Sequence, residues 1–110
     1  MIIDPRTTRV YVFRESVDLC KGHNGLSALV MEKMQPCAKL LSGSIFFFVS
    51  RDRKSAKALM FDETGLVVFH KRMERGRIMS FERLMEGHEI SLKQLMLIMA
   101  GAQVVLDVQL

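Results

Sequence analysis

Three apolar runs follow one another between residues 44 and 71 with almost no chain between them. That spacing constrains the fold more than any other feature. SIFFFV (44–49) lies between Ser42-Gly43 and RDRKS, AKALMF (56–61) follows, and the turn Asp62-Glu63-Thr64-Gly65 leads into LVVFHK (66–71). Short runs rich in aromatic and β-branched residues, closed by turn residues, read as strands. Connections this short join antiparallel neighbours. No charge interrupts SIFFFV or LVVF, so the sheet is expected to be covered on both faces or packed against a helix.

The flanking segments fit around that sheet. RVYVF (9–13) alternates and reads as a further strand. In VDLCKGHNG, two glycines and Asn24 form a turn into a helix, with Asn24 as N-cap and Leu26, Leu29, Val30 and Met34 at helical spacing. Pro36 limits that helix, because the residue before a proline is pushed out of the α region. SFERLMEG (80–87) fits a short helix or an extended segment. In ISLKQLMLIMAG, Ser91 and Gln94 have the capping-box spacing and Gly101 suits the position just past the helix end. VVLDV (104–108) reads as a final short strand, at a sheet edge or a dimer contact. The expected fold is α+β, an antiparallel meander sheet of about four to five strands with two helices packed on it. Residues 1–110 are expected to form a single domain.

A meander also predicts where charge collects. If 44–49 runs up, the 50–55 turn lies at the top, 56–61 runs down, and 66–71 climbs again to deliver KRMERGR (71–77) to the top. Arg51, Arg53 and Lys54 would then share one edge with Lys71, Arg72, Arg75 and Arg77, with Asp52 and Glu74 as the nearest acids. Asp62 and Glu63 would lie at the opposite end. Residues 51–77 hold eight cations and four anions, a local charge of +4 that equals the net charge of the chain. Such asymmetry points to an anionic partner, and arginine's planar fork suits phosphate. Phe46, Phe47, Phe48, Phe61 and Phe69 all read as core, so base stacking is not indicated.

Other chemistry is sparsely represented. No stretch approaches the length of a membrane-spanning helix, and the N-terminus lacks the apolar run of a signal peptide, so a cytoplasmic protein is expected. Cys20 and Cys37 are not spaced for metal and read as reduced thiols. His23, His70 and His88 form no ligand spacing with them. Lys21, Gly22 and Gly25 open the first helix, where free backbone amides make a candidate anion site; the glycines equally serve a plain strand-to-helix turn. Phosphoryl transfer by two metals would need converging carboxylates. Only Asp18, Asp62 and Glu63 come into question, and Asp62-Glu63 is better explained as turn chemistry. The chain reads as non-catalytic, with no cofactor and no metal. Met96 and Met99, with Leu92, Leu95 and Ile98, suit an adaptable core or a helix that docks a partner.

Taken in order, RVYV, VDLCKGHNGLSALV, LSGSIFFFVSRDR, KALMFDETGLVVFHKRMERGR and ISLKQL resemble a family of small accessory proteins of bacterial transposons. These are the TnpB, or Orf2-like, proteins of insertion-sequence-66 elements, distinct from the RNA-guided nuclease of the same name. The resemblance covers about residues 7–100. It is carried most by Asp18…Lys21-Gly22…Gly25-Leu26, by Ser42-Gly43, and by Asp62…Gly65-Leu66 with Lys71-Arg72…Glu74…Gly76-Arg77. The chain departs from the pattern at Cys20, His23 and Asn24, where arginine, phenylalanine and aspartate are usual, and at Phe61, where tryptophan is usual. It also lacks the tryptophan-proline step expected after Phe81. The resemblance implies a protein encoded beside a larger transposase that carries the catalytic carboxylates, and needed for efficient transposition. The transposase and other proteins of the same element are its implied partners; DNA is the partner expected of the basic edge, and whether the chain also pairs with a second copy of itself is left open by the sequence. A protein-interaction adaptor without nucleic-acid contact, working through the C-terminal helix and strand, is the alternative.

Overall fold

The computed structural model describes residues 3–4, 6–13, 43–61, 64–81, 83–84 and 88–106. These form five strands and one helix: β1 (Val10–Val12), β2 (Ile45–Val49), β3 (Ser55–Phe61), β4 (Leu66–Arg72), β5 (His88–Ile90) and α1 (Leu92–Met99). The architecture is α+β, with a single sheet in the order β4-β3-β2-β1-β5.

The β2–β3–β4 meander forms as its short connections require, with both pairs antiparallel. The rest of the sheet differs from expectation. β1 runs parallel to β2, with Val10 beside Ile45 and Val12 beside Phe47, so the sheet is mixed rather than antiparallel throughout. A parallel neighbour needs a long crossover, and more than thirty residues separate these two strands. β5 then adds antiparallel to the outer side of β1, with Tyr11 opposite Glu89. At three residues, β5 is too short to announce itself by periodicity.

Of the two expected helices, only α1 falls among the described residues; the segment 26–34 lies outside them. Helix α1 begins at the capping box. The Ser91 hydroxyl accepts from the Gln94 N–H at 3.0 Å, and the Gln94 side chain accepts from the Ser91 N–H at 2.9 Å. It ends in a Schellman arrangement, with Gly101 N–H donating to Ile98 O and Ala102 N–H to Leu97 O, both at 3.0 Å. That closure requires the positive φ of +95° at Gly101.

Alternation along the strands sorts the core into two layers. Val10, Val12, Ile45, Phe47, Val49, Ala56, Ala58 and Met60 share one face and meet Leu92, Leu95 and Ile98 of α1, together with Ile78, Phe81 and Leu84. Each large apolar side chain so withdrawn from water contributes about 1.5–3 kcal/mol. The opposite face gathers Phe13, Phe46, Phe48 and Leu59, flanked by Tyr11, Phe61, Leu66 and Val68. All five residues of β2 are buried, as expected of a run with no polar face.

VVLDV was expected as a strand, but 104–106 are not one. Val104 and Leu106 pack on the first layer while Val105 is 92% exposed. Their alternation reports one-sided burial, with no strand pairing of 104–106 among the described residues. SFERLMEG forms neither element where it is described, and its Phe81 meets Phe47 edge-on at 5.9 Å between ring centroids.

Candidate nucleic-acid interface

The basic edge is built on the β2–β3 hairpin. Ser50 N–H donates to Ser55 O at 2.9 Å, and Arg53 N–H donates to Ser50 O at 3.0 Å, closing a turn over 50–53. Asp52 sets the turn's shape from inside. One of its oxygens accepts from the Lys54 N–H at 3.0 Å and from the Ser50 hydroxyl at 2.7 Å, a local side chain-to-backbone closure of the kind Asp favours. The Ser50 hydroxyl oxygen in turn accepts from the Ser55 N–H at 3.1 Å. These bonds, first the one from the Lys54 backbone and then that from Ser50, hold the Asp52 carboxyl below its ordinary value, with the Lys54 and Arg77 charges adding to the effect. Arg53 has φ +58°, which a non-glycine residue adopts only when its surroundings demand it.

Strand β4 then brings in the second cluster. Ser55 pairs with Arg72 and Ala56 with Lys71, so the end of β4 lies beside the hairpin turn. Beyond the ladder, Met73 N–H donates to Lys54 O at 2.6 Å and Ile78 N–H donates to Arg53 O at 2.7 Å. The Arg53 guanidinium also donates to Ile78 O at 3.4 Å. Ile78 is fully buried and Met73 packs on the same layer. Between these two anchors the segment 74–77 loops outward, with Gly76 at φ +71° making the return.

The arrangement therefore gathers Arg51, Arg53, Lys54, Lys71, Arg72, Arg75 and Arg77 at one end of the sheet, as the meander predicted. Six of them are exposed and Arg53 is half-buried. The roles differ in ways the sequence does not announce. Arg53 is a strut between hairpin and loop rather than a free cation. Lys71 and Arg72, as consecutive strand residues, project to opposite faces. Arg72 shares its face with Lys57, which stands opposite His70. A concavity of about 370 Å³ opens between Asp52, Lys54, Arg72, Glu74 and Gly76. Arg9 stands apart, at the opposite end of the sheet, engaged by the Tyr11 hydroxyl and by Glu89.

Phe69 is not core. It is 43% exposed, two residues before Lys71 on the same face of β4. Phe61 is only half-buried. Sequence reasoning missed Phe69 because an apolar run on an edge strand looks like one on a central strand. Lys21, Gly22 and Gly25 of the candidate anion site lie outside the described residues, as do Asp18, Asp62 and Glu63. Among the described residues no three His, Cys, Asp or Glu side chains converge to hold a metal, and no helix is long and apolar enough to cross a membrane.

A family model described as IS66 Orf2 like protein matches residues 8–107. The chain belongs to the IS66 Orf2-like family. The match takes in the hairpin turn, all of β4 and the 73–78 loop, so both halves of the basic edge lie within the part that defines the family. Membership makes this IS66 Orf2-like chain a transposition-associated accessory protein. No curated protein and no solved structure matches it.

Proposed function

We infer that this IS66 Orf2-like protein is a non-catalytic accessory factor of DNA transposition that holds nucleic-acid phosphates on the edge formed by 51–54 and 71–77. The observation that carries this reading is the backbone stitching of Met73 to Lys54 and of Ile78 to Arg53. It joins two basic stretches separated by the length of a strand into one surface. Exposed Arg51, Lys54, Lys71, Arg72, Arg75 and Arg77 outnumber Asp52 and Glu74 there. Asp52 is already occupied by turn hydrogen bonds. Such a surface favours phosphate oxygens over base edges, so binding should be salt-sensitive and only weakly sequence-dependent.

Fluorescence anisotropy of labelled duplexes across a salt series tests the reading, with element-end and scrambled sequences side by side. A steep salt slope on both is expected. A preference for element ends would add recognition to phosphate binding. No binding at low salt would remove nucleic acid from the function.

A second reading has its own observation. Met96 is 66% exposed and Leu97 44%, on the side of α1 away from the core, and Val105 in the segment that follows α1 is exposed as well. An apolar surface of this kind suits an adaptor that holds the element's transposase or another of its proteins. Deleting α1 would not test this, because Leu92, Leu95 and Ile98 belong to the core. Replacing Met96, Leu97 and Val105 together by Glu leaves those residues in place. Loss of transposase co-purification, with duplex binding retained, would support the adaptor.

A further inference from the structure

Among the described residues, strand β4 ends the sheet on one side, with β3 as its neighbour and no strand beyond it. It is seven residues long, against three for β5 at the opposite edge. A long open edge is a template for another strand. The bond from Met73 N–H to Lys54 O fixes which groups face outward. Lys54 and Met73 continue the β3–β4 register as a hydrogen-bonded pair, and such pairs alternate with non-bonded ones along an antiparallel ladder. Lys71, Phe69 and Val67 therefore bond inward to β3. Arg72, His70, Val68 and Leu66 turn their N–H and C=O groups to the open side. The bond from Ser50 N–H to Ser55 O agrees, since it places Ser55 on the β2 side of β3.

We propose that β4 pairs antiparallel with β4 of a second copy, about a two-fold axis at Phe69. Among the antiparallel registers that match outward groups with outward groups, centring on Phe69 is the one that pairs the whole strand. Leu66 and Val68 of one copy then bond Arg72 and His70 of the other, and the reverse. Phe69 faces its own counterpart in the non-bonded position, where side chains are closest and aromatic pairs add about 0.2–1 kcal/mol.

In this register the strand's composition is complementary to itself over its whole length. Leu66, Val67 and Val68 fill its first half, and His70, Lys71 and Arg72 its second. Centring on Phe69 sets Val67 against Lys71 and Leu66 against Arg72, so each long basic side chain lays its stem along an aliphatic neighbour. Centring on His70 would oppose the two imidazoles, and centring on Val68 would leave Arg72 beyond the partner strand. Cations are a usual guard against edge pairing, but here they protect only half of the edge and leave an exposed Phe69 beside them. The contact is isologous and closes after two copies, as a two-fold interface must. It does not depend on nucleic-acid binding.

Sedimentation of the full chain across the micromolar range tests the proposal. The wild type is expected to reach the mass of two chains. His70→Pro removes an outward donor and no bond to β3, and proline is tolerated at such edge positions. It should weaken the dimer by more than about tenfold with an unchanged far-ultraviolet circular dichroism spectrum. If that variant fails to fold, Phe69→Lys decides instead, because it leaves the inward ladder intact and sets two ammonium groups at the two-fold axis. In a Cys20→Ser/Cys37→Ser background, Phe69→Cys should form an interchain disulfide on oxidation, while Val67→Cys should not. A wild type that stays a single chain at high micromolar concentration overturns the proposal. So does a dimer indifferent to His70→Pro and Phe69→Lys, or cross-linking through position 67 but not 69.

Discussion

Arg53 and Ile78 hold each other at both ends of a reciprocal contact: the Ile78 N–H donates to Arg53 O at 2.7 Å, and the Arg53 guanidinium donates to Ile78 O at 3.4 Å. Arg53 accepts a left-handed backbone to do so, while Ile78 is sealed into the core. The basic loop is thereby fixed to the basic turn by one residue that looks, in the sequence, like another phosphate ligand.

Arg53→Ala should therefore act mainly on stability. Loss of the guanidinium bond is expected to cost about 0.5–1.5 kcal/mol, read as a lower midpoint in urea with unchanged slope. Its effect on the salt dependence of duplex binding should be smaller than that of Arg75→Gln. The opposite order would make Arg53 a ligand first and a strut second.

Replacing Arg72, Arg75 and Arg77 together by Gln keeps the loop's backbone bonds and removes three exposed charges. If each touches a phosphate, the slope of log affinity against log salt should fall by about 0.9 per contact. Anisotropy titration at four or more salt concentrations measures this. An unchanged slope would place the phosphate contacts elsewhere.

Asp52 gives a pH signature. Its carboxyl lies below the ordinary value of 3.8 in the folded chain, so the unfolded state takes up the proton first as pH falls. Its contribution to stability is complete above that ordinary value and is lost as pH drops through the lower folded value. The stability difference between wild type and Asp52→Asn, measured by urea unfolding, should stay level from neutral pH down to about 4 and shrink in stronger acid. A difference that grows on acidification would contradict the turn's hydrogen-bond assignment.

The two ends of α1 should respond separately. Ser91→Ala removes the capping hydroxyl and should cost about 1 kcal/mol. Gly101→Ala forces a side chain into φ +95°, with its Cβ 3.4 Å from the Met73 Cε methyl, at a cost of about 1–2 kcal/mol. Because Met73 precedes the basic loop, Gly101→Ala should also weaken duplex binding, while Ser91→Ala should not. Thermal unfolding and anisotropy together distinguish the two.

Features set by neighbours in the chain were legible without a structure. The short connections around 50–55 and 62–65 required a β2–β3–β4 meander, and with it the meeting of Arg51, Arg53 and Lys54 with Lys71 and Arg72. Ser91, Gln94 and Gly101 marked both ends of α1, because caps are local bargains between a side chain and the nearest backbone groups.

Only the tertiary structure decided the rest. The parallel seat of β1 beside β2, and β5 beyond it, join segments far apart in the chain, and no local pattern encodes which distant strand a backbone will meet. Val104, Val105 and Leu106 alternate as a strand would, yet alternation records which side is dry and not whether a hydrogen-bonding partner stands alongside. Phe69 and Arg53 make the same point at the basic edge. Whether an aromatic is covered, or an arginine is spent on a carbonyl, depends on what packs against it, and that is settled by the fold.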